Sequence, residues 1–322
     1  MNSHNYVRLQ HGLAKEIFCN TLSDKRKFVA KMNKGSQQIR WSGGLNNCNF
    51  TSSTLNVRGL VSNKTKRLSI FQYMKEKSDI SFLQETHSTK GTEKQWEHET
   101  GCESYFSHGE RNARGVMIFS NSSIEVEVSK QICDDNGRFL MLTCTIQGAK
   151  FLLYNVYAPN NELEHKAFME YIKEKLFSIE TDEYDYVIGA GDWNFTSEIM
   201  DRKGGNYTNW KTSVDILEEI NGKLDTIDIW RVKNPETARY TWRGKARGEL
   251  IQSRLDRMYI SDTMQYNISK TDILPGLNSD HSMPIISIRP TQGLTESGPS
   301  YWKFNNSLLK NENFTKGLEK YI

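Results

Sequence analysis

Short alternating runs of apolar and polar residues begin at Phe50 and continue to about residue 290, whereas residues 1–48 carry no sustained pattern. The Thr/Ser-rich run Phe50–Val57 reads as a strand. Lys64–Lys77 has the period of an amphipathic helix, with Leu68, Phe71 and Met74 predicted inward. Strands are predicted over Asp79–Leu83, Gly115–Ser120, Ile124–Val128 and Phe139–Gln147, the last alternating Leu140, Leu142, Cys144 and Ile146. Phe151–Ala158 is the most apolar strand, and Glu162–Ile179 is a helix with Phe168, Ile172 and Leu176 on one face. Tyr186–Ile188 reads as a buried strand, followed by Gly189-Ala190-Gly191, which predicts a sharp turn or a close backbone approach. A helix at Ser213–Leu224, strands at Arg239–Trp242, Arg254–Ile260 and Pro284–Ile288, and a basic turn at Gly244–Gly248 complete the set. Many strands with a few helices, no repeat and no dinucleotide-binding glycine fingerprint predict a two-sheet α/β sandwich, one domain at 49–290.

The flanks change the picture little. Residues 1–48 read as a basic, disordered leader: residues 1–40 hold eight Lys/Arg against two Asp/Glu, while the rest of the chain holds 34 against 37. The overall charge of +3 therefore carries no argument for nucleic acid, and only local patches can. The turn-rich stretch Thr291–Pro299 predicts a linker, opening a segment 291–322. No apolar run approaches the ~20 residues of a membrane span, and the N-terminus has no apolar secretory core. Five scattered cysteines without a CxxC argue against a disulfide framework and a structural zinc site.

Chemistry-bearing residues sit where the predicted strands end: Asn56, Glu85, Tyr157, Asp192 with Asn194, Asp256, and Asp280 with His281. Each has a plain alternative. Asp192-Trp193-Asn194 could close its strand as an Asx-turn, and Asp256 could be a surface ion pair. As a set they are chemically coherent. Oxygen ligands without cysteine suit a hard cation such as Mg²⁺, with Mn²⁺ as substitute; Glu85 is the best ligand candidate, helped by Asn56 and Asp280. His281 backed by Asp256 would have a fixed tautomer and a raised pKa. Asp192 could orient or deprotonate a water, and Asn194 and Tyr157 could donate to a phosphoryl oxygen. Together these describe phosphodiester hydrolysis. His87 and Trp193 read as packing residues.

These residues resemble the endonuclease/exonuclease/phosphatase superfamily. The pieces are Leu55-Asn56-Val57-Arg58-Gly59-Leu60, Leu83-Gln84-Glu85-Thr86-His87, Arg114-Gly115-Val116, Asn155-Val156-Tyr157-Ala158-Pro159-Asn160, Gly191-Asp192-Trp193-Asn194, Ser253-Arg254-Leu255-Asp256-Arg257 and Ser279-Asp280-His281-Ser282, in the family's order. Within it the chain looks most like the endonuclease of LINE-type (non-LTR) retrotransposons, similar to apurinic/apyrimidinic (AP) endonucleases and exonuclease III. Tyr301-Trp302-Lys303-Phe304-Asn305 is similar to the segment that leads to the reverse transcriptase in such elements; that domain would be a partner in a full-length element, and this chain stops before it. The resemblance implies a four-layer α/β sandwich of the DNase I-like type. It implies metal at Glu85 and Asn56 with Asp280 beside it, water activation by Asp192 with Asn194, phosphate contact by Tyr157, and His281 oriented by Asp256. It also implies a DNA groove lined by Asn160, Arg202, Thr241 and Ser253, and a target-selecting hairpin carrying Arg243, Lys245 and Arg247. The expected activity is a Mg²⁺-dependent nick in double-stranded DNA that leaves a 3′-hydroxyl, in the nucleus. The competing expectations are an AP-site repair enzyme, a lipid phosphodiesterase, and an inactive DNA-binding relic.

Overall fold

The structure, a computed structural model, describes Leu45 and residues 48–110, 112–180, 183–205, 210–246 and 248–290. The expected leader (apart from Leu45 and Cys48), the segment 291–322 and Arg247 lie outside the described residues.

Two six-stranded sheets face each other. With strands numbered in chain order, the first sheet holds β1 (Phe50–Asn56), β2 (Ile80–Gln84), β3 (Glu103–Ser107), β4 (Val116–Ser120), β14 (Ile268–Leu274) and β15 (Met283–Ile288), in the order β14-β15-β1-β2-β4-β3. The second holds β5 (Val126–Cys133), β6 (Phe139–Ile146), β7 (Ala149–Tyr157), β8 (Tyr186–Asp192), β10 (Thr226–Asp228) and β13 (Asp256–Ser261), in the order β10-β13-β8-β7-β6-β5. A small third sheet joins β9 (Arg202–Lys203) to the hairpin of β11 (Trp242–Ala246) and β12 (Glu249–Ser253). The helices are α1 (Lys64–Lys77), α2 (Glu93–Thr100), α3 (Glu162–Phe177), α4 (Lys211–Leu224) and the short α5 (Ile229–Lys233).

The period of two in the strands generates the layers, because successive side chains leave opposite faces. Leu140, Leu142, Cys144 and Ile146 of β6 pack with Ile188, Ala190, Phe50, Ile80 and Phe82 between the sheets. Phe139 and Met141 turn the other way, onto Phe168, Met169 and Ile172 of α3 and Ile216 and Ile220 of α4. On the far side, Leu55, Leu83, Met117 and Phe119 meet Ile70, Phe71 and Met74 of α1 and Trp96 of α2. The result is the expected four-layer α/β/β/α sandwich.

Five local readings need correction. The helical period places Leu68 inside, but it is 38% exposed. The buried stripe of α1 is Arg67, Ile70, Phe71 and Met74, since Arg67 lies against the indole of Trp96 and makes two bonds to Glu99, at 2.6 and 2.8 Å. Gly189-Ala190-Gly191 does not turn: β8 runs straight through to Asp192. The glycines serve close approach, because a Cβ on Gly189 would lie 1.9 Å from Cζ of Tyr154, and one on Gly191, at φ 147°, 2.0 Å from the Val156 carbonyl oxygen. Arg239–Trp242 is a loop up to Trp242, where β11 starts, and the expected basic turn Gly244–Gly248 is mostly the body of a hairpin. Finally, Pro284–Ile288, the last strand that the sequence predicts, is not the edge of its sheet; β14, missed in the sequence, pairs outside it.

Candidate active site

Strand direction gathers the site. β1 and β2 are parallel, with Asn56 opposite Gln84, so Asn56 and Glu85 leave the first sheet at the same edge. β7 and β8 are also parallel, with Tyr157 opposite Asp192, and antiparallel β13 begins with Asp256 opposite that same Asp192. His281 enters from the turn before β15. Residues from both sheets therefore meet at one end of the sandwich.

Asn56 is the hinge of the arrangement. Its Nδ2 donates to Glu85 Oε1 and to Asp192 Oδ2, both at 2.9 Å, bridging the two sheets. Asp192 is only 1% exposed, and its other oxygen accepts the Asn194 backbone N–H at 3.0 Å. Asn194 sits at φ +52°, so both readings of Asp192-Trp193-Asn194 hold: it is an Asx-turn, and it is part of the cluster. The Asn194 side chain donates to the Ala158 carbonyl at 2.7 Å, which commits one of its two N–H groups. His281 Nδ1 pairs with Asp256 Oδ2 at 2.8 Å, and its Nε2 lies 4.0 Å from Asp192 Oδ2. The turn carrying His281 is tied down by Ser279, whose hydroxyl donates to the Asn56 carbonyl at 2.6 Å and accepts the His281 N–H. The ring of Tyr157 lies under the Arg138 guanidinium, 5.0 Å away.

Electrostatics sharpen these roles. Burial pushes the Asp192 carboxyl up, the Asp256 charge adds to it, and the group rests at about 7 despite its bonds to Asn56 and Asn194. Burial alone would lower the His281 imidazole. The charge and hydrogen bond of Asp256, with Asp192 and Asp280 beyond, win and hold it protonated up to about 10. Burial and the Glu85 carboxylate raise the Tyr157 hydroxyl, so it remains a donor.

The donor chemistry tests the expected metal set. Among the described residues, one group of His, Cys, Asp and Glu could hold an ion, Asp192, Asp256 and His281, with ligand atoms within 4.8 Å of one another. An imidazolium paired to Asp256 already neutralises part of that group. Glu85 and Asp192, both drawn to one Asn56 amide, are the all-oxygen pair that a hard cation prefers. Asp280, expected beside the metal, is engaged otherwise: its Oδ2 accepts from Trp242 Nε1 at 3.1 Å and pairs with Arg58 at 3.2 Å.

The expected groove residues divide. Asn160 is exposed just before the Asn161 cap of α3, and Arg243 and Lys245 stand on β11. Arg202, half-buried on β9, donates to Ser253 Oγ at 3.3 Å. Thr241 and Ser253 are buried, so they do not line an open groove. The Thr241 hydroxyl accepts the backbone N–H groups of Leu255 and Asp256, at 2.9 and 3.0 Å, and so fixes the strand end that carries Asp256. His87 packs on Gly59 and Trp193 on Tyr259, both as expected. The sequence reading missed the buried ion network of Arg254 with Asp201 and Asp228, each at 2.7 Å, which braces the start of β13. It also missed His165, whose Nε2 donates to the Trp193 carbonyl at 2.9 Å. Nothing in local composition separates either from ordinary solvent-facing polar residues.

Residues 53–281 match the endonuclease/exonuclease/phosphatase family. The chain belongs to that family. A curated family relative, the Transposon TX1 uncharacterized 149 kDa protein of Xenopus laevis, is 32% identical over 267 residues, which is 83% of this chain. The chain spans 20% of that relative's length. Among solved structures the family fold is matched by an AP endonuclease of Leishmania major (TM-score 0.61, 17% identity, 75% of this chain and 88% of that one). It is also matched by a 3′ phosphatase of Neisseria bound to product DNA hairpin (TM-score 0.56, 20% identity, 74% and 99%).

Proposed function

We propose that the chain is a divalent-metal-dependent endonuclease that nicks double-stranded DNA and leaves a 3′-hydroxyl, as in retrotransposon-type members of the family. One observation carries the reading: two carboxylates, Glu85 and Asp192, converge on one Asn56 amide beside the buried His281–Asp256 pair. Glu85, steadied by the Asn56 amide whose N–H groups face the carboxylates and whose oxygen takes the Arg58 N–H, would hold the ion, Mg²⁺ or Mn²⁺, which when bound supplies charge stabilisation at the phosphoryl oxygens. Asp192, raised toward neutrality, is matched to accept a proton from the attacking water. The His281 imidazolium, held by Asp256, offers its Nε2–H to the oxygen on which charge builds. Tyr157 and the remaining N–H of Asn194 can donate to the same phosphate. Arg243 and Lys245 would meet the flanking duplex. The transposon relative favours this reading over AP-site repair.

The test is supercoiled plasmid with Mg²⁺, an abasic oligonucleotide and a phospholipid in parallel, each repeated in EDTA and with Asp192→Ala. Plasmid nicking is expected to vanish in EDTA and to fall roughly 10²–10⁴-fold in the variant. Cleavage of the abasic strand alone selects repair, and cleavage of lipid alone selects the phosphodiesterase. A nick ending in a 3′-phosphate overturns the proposed product.

A further inference from the structure

Arg58 enters the site described above only as the partner of Asp280, and it stands at the site's mouth. It follows Asn56 by two residues, and one of its guanidinium nitrogens lies 3.2 Å from Asp280 Oδ2. Its backbone is held at both ends. The Arg58 N–H donates to Asn56 Oδ1 at 3.1 Å, and its carbonyl accepts from Lys66 Nζ at 3.0 Å. The same Asn56 amide that joins Glu85 to Asp192 therefore also fixes where Arg58 begins.

This backbone is in the left-handed region, φ +50°. Glycine would occupy it at lower cost. A non-glycine residue held there by its surroundings, next to reactive groups, marks a side chain that contributes something its backbone does not need. Packing is not that contribution, since the side chain is 57% exposed. Charge pairing with Asp280 uses one edge of a group with five donors and leaves the others free. A planar fork with an open edge, anchored by the carboxylate that immediately precedes His281, matches the oxygens of a phosphodiester.

We propose that Arg58 binds a backbone phosphate of the DNA strand held in this site, with Asp280 and Trp242 aiming its guanidinium. The inference rests on the nuclease reading for the identity of the ligand. Its chemistry is sequence-independent: Arg58 adds affinity and register, not base selection. It also accounts for Asp280, whose carboxylate orients a cation of the chain itself.

The experiment is binding of a short DNA duplex in EDTA, followed by fluorescence anisotropy over a range of salt, so that no turnover is needed. Arg58→Gly removes the side chain and suits the left-handed backbone, and its melting temperature verifies the fold. It is expected to bind roughly tenfold more weakly at low salt, and to lower the slope of log K against log salt by about 0.9, the value for one phosphate no longer neutralised. Arg58→Lys is expected to keep the slope and lose part of the affinity. The pair is repeated in an Asp280→Asn background. If Arg58 only neutralises Asp280, Arg58→Gly is silent there and the proposal is overturned; a persisting loss of slope supports it. Wild-type binding with an unaltered Arg58→Gly slope defeats Arg58 alone. A wild-type chain without salt-dependent DNA binding defeats the nuclease reading and Arg58 with it.

Discussion

At the scale of single residues, two histidines are held in opposite protonation states by what faces them. His281 looks at Asp256, Asp192 and Asp280 and is kept charged. His165 is buried between the Trp193 carbonyl, the Ser213 hydroxyl and the rings of Phe195 and Trp210. Burial lowers its pKa to about 4, assisted by Arg257 and Arg138 and opposed by the bond to Trp193. A depressed histidine is a stabilising element above its unfolded value near 6.5, and that stability is lost as pH falls through about 4. Replacing His165 with Asn should therefore lower the melting temperature most at pH 7 and least near pH 4, measured by thermal scans of both proteins across that window. The same residue backs Trp193, and with it the turn that presents Asp192 and Asn194.

At the scale of elements, the hairpin β11–β12 is built into the site at its root. Trp242 forms a β-bridge with His281, the Ser282 N–H donates to the Thr241 carbonyl at 2.6 Å, and Thr241 fixes the start of β13. Gly244 sits beneath the Trp242 ring, where a Cβ would lie 2.4 Å from the indole. Arg243 and Lys245, two residues apart on β11, share a face of the strand. Their joint replacement by Ala is expected to reduce the salt slope of DNA binding by about 0.9 for each phosphate they neutralise, while Asp192-dependent turnover at saturating DNA changes little. Anisotropy titrations against salt and a separate kcat measurement check the two parts. The residue pattern displayed the cations of this hairpin but not its strands, and the hairpin itself came only from the family resemblance: two glycines within five residues read as a turn, and the pairing of Trp242–Ala246 with Glu249–Ser253 makes the run a strand.

At the scale of the whole molecule, the site exists because two sheets are held in one relative position. Asn56, Glu85 and His281 come from one sheet and the turns at its edge, and Tyr157, Asp192 and Asp256 from the other. Behind them lies a buried polar link. Asn155 of β7 accepts from Gln84 Nε2 at 2.7 Å and donates to the Leu83 and Met117 carbonyls at 3.0 and 2.9 Å. An apolar interface alone would let the sheets slide, since apolar contact is non-directional; three directional bonds in a dry interior do not. Asn155→Ala leaves those partners unpaired and is expected to cost about 3 kcal/mol, lowering the melting temperature by about 6–12 °C. It should also lower kcat although Asn155 touches no reacting group, because the two halves of the site lose their register. A variant with lowered stability and unchanged kcat would remove that coupling.

The amino-acid sequence by itself determined the layers and the residue types of the site. Strand and helix periods are local properties, and strand ends carrying Asn, Asp, Glu and His are visible without coordinates. Beyond the pairing of His281 with Asp256, it did not determine which of these groups would be neutralised by which neighbour. That Asp280 takes Arg58 and Trp242, that Thr241 and Ser253 are buried in support, and that Arg67 and not Leu68 faces inward were decided by tertiary structure. The reason is physical. Periodicity records which face of an element avoids water, whereas the partner of a charge depends on distances between residues far apart in the chain, and those exist only once the sheets have packed.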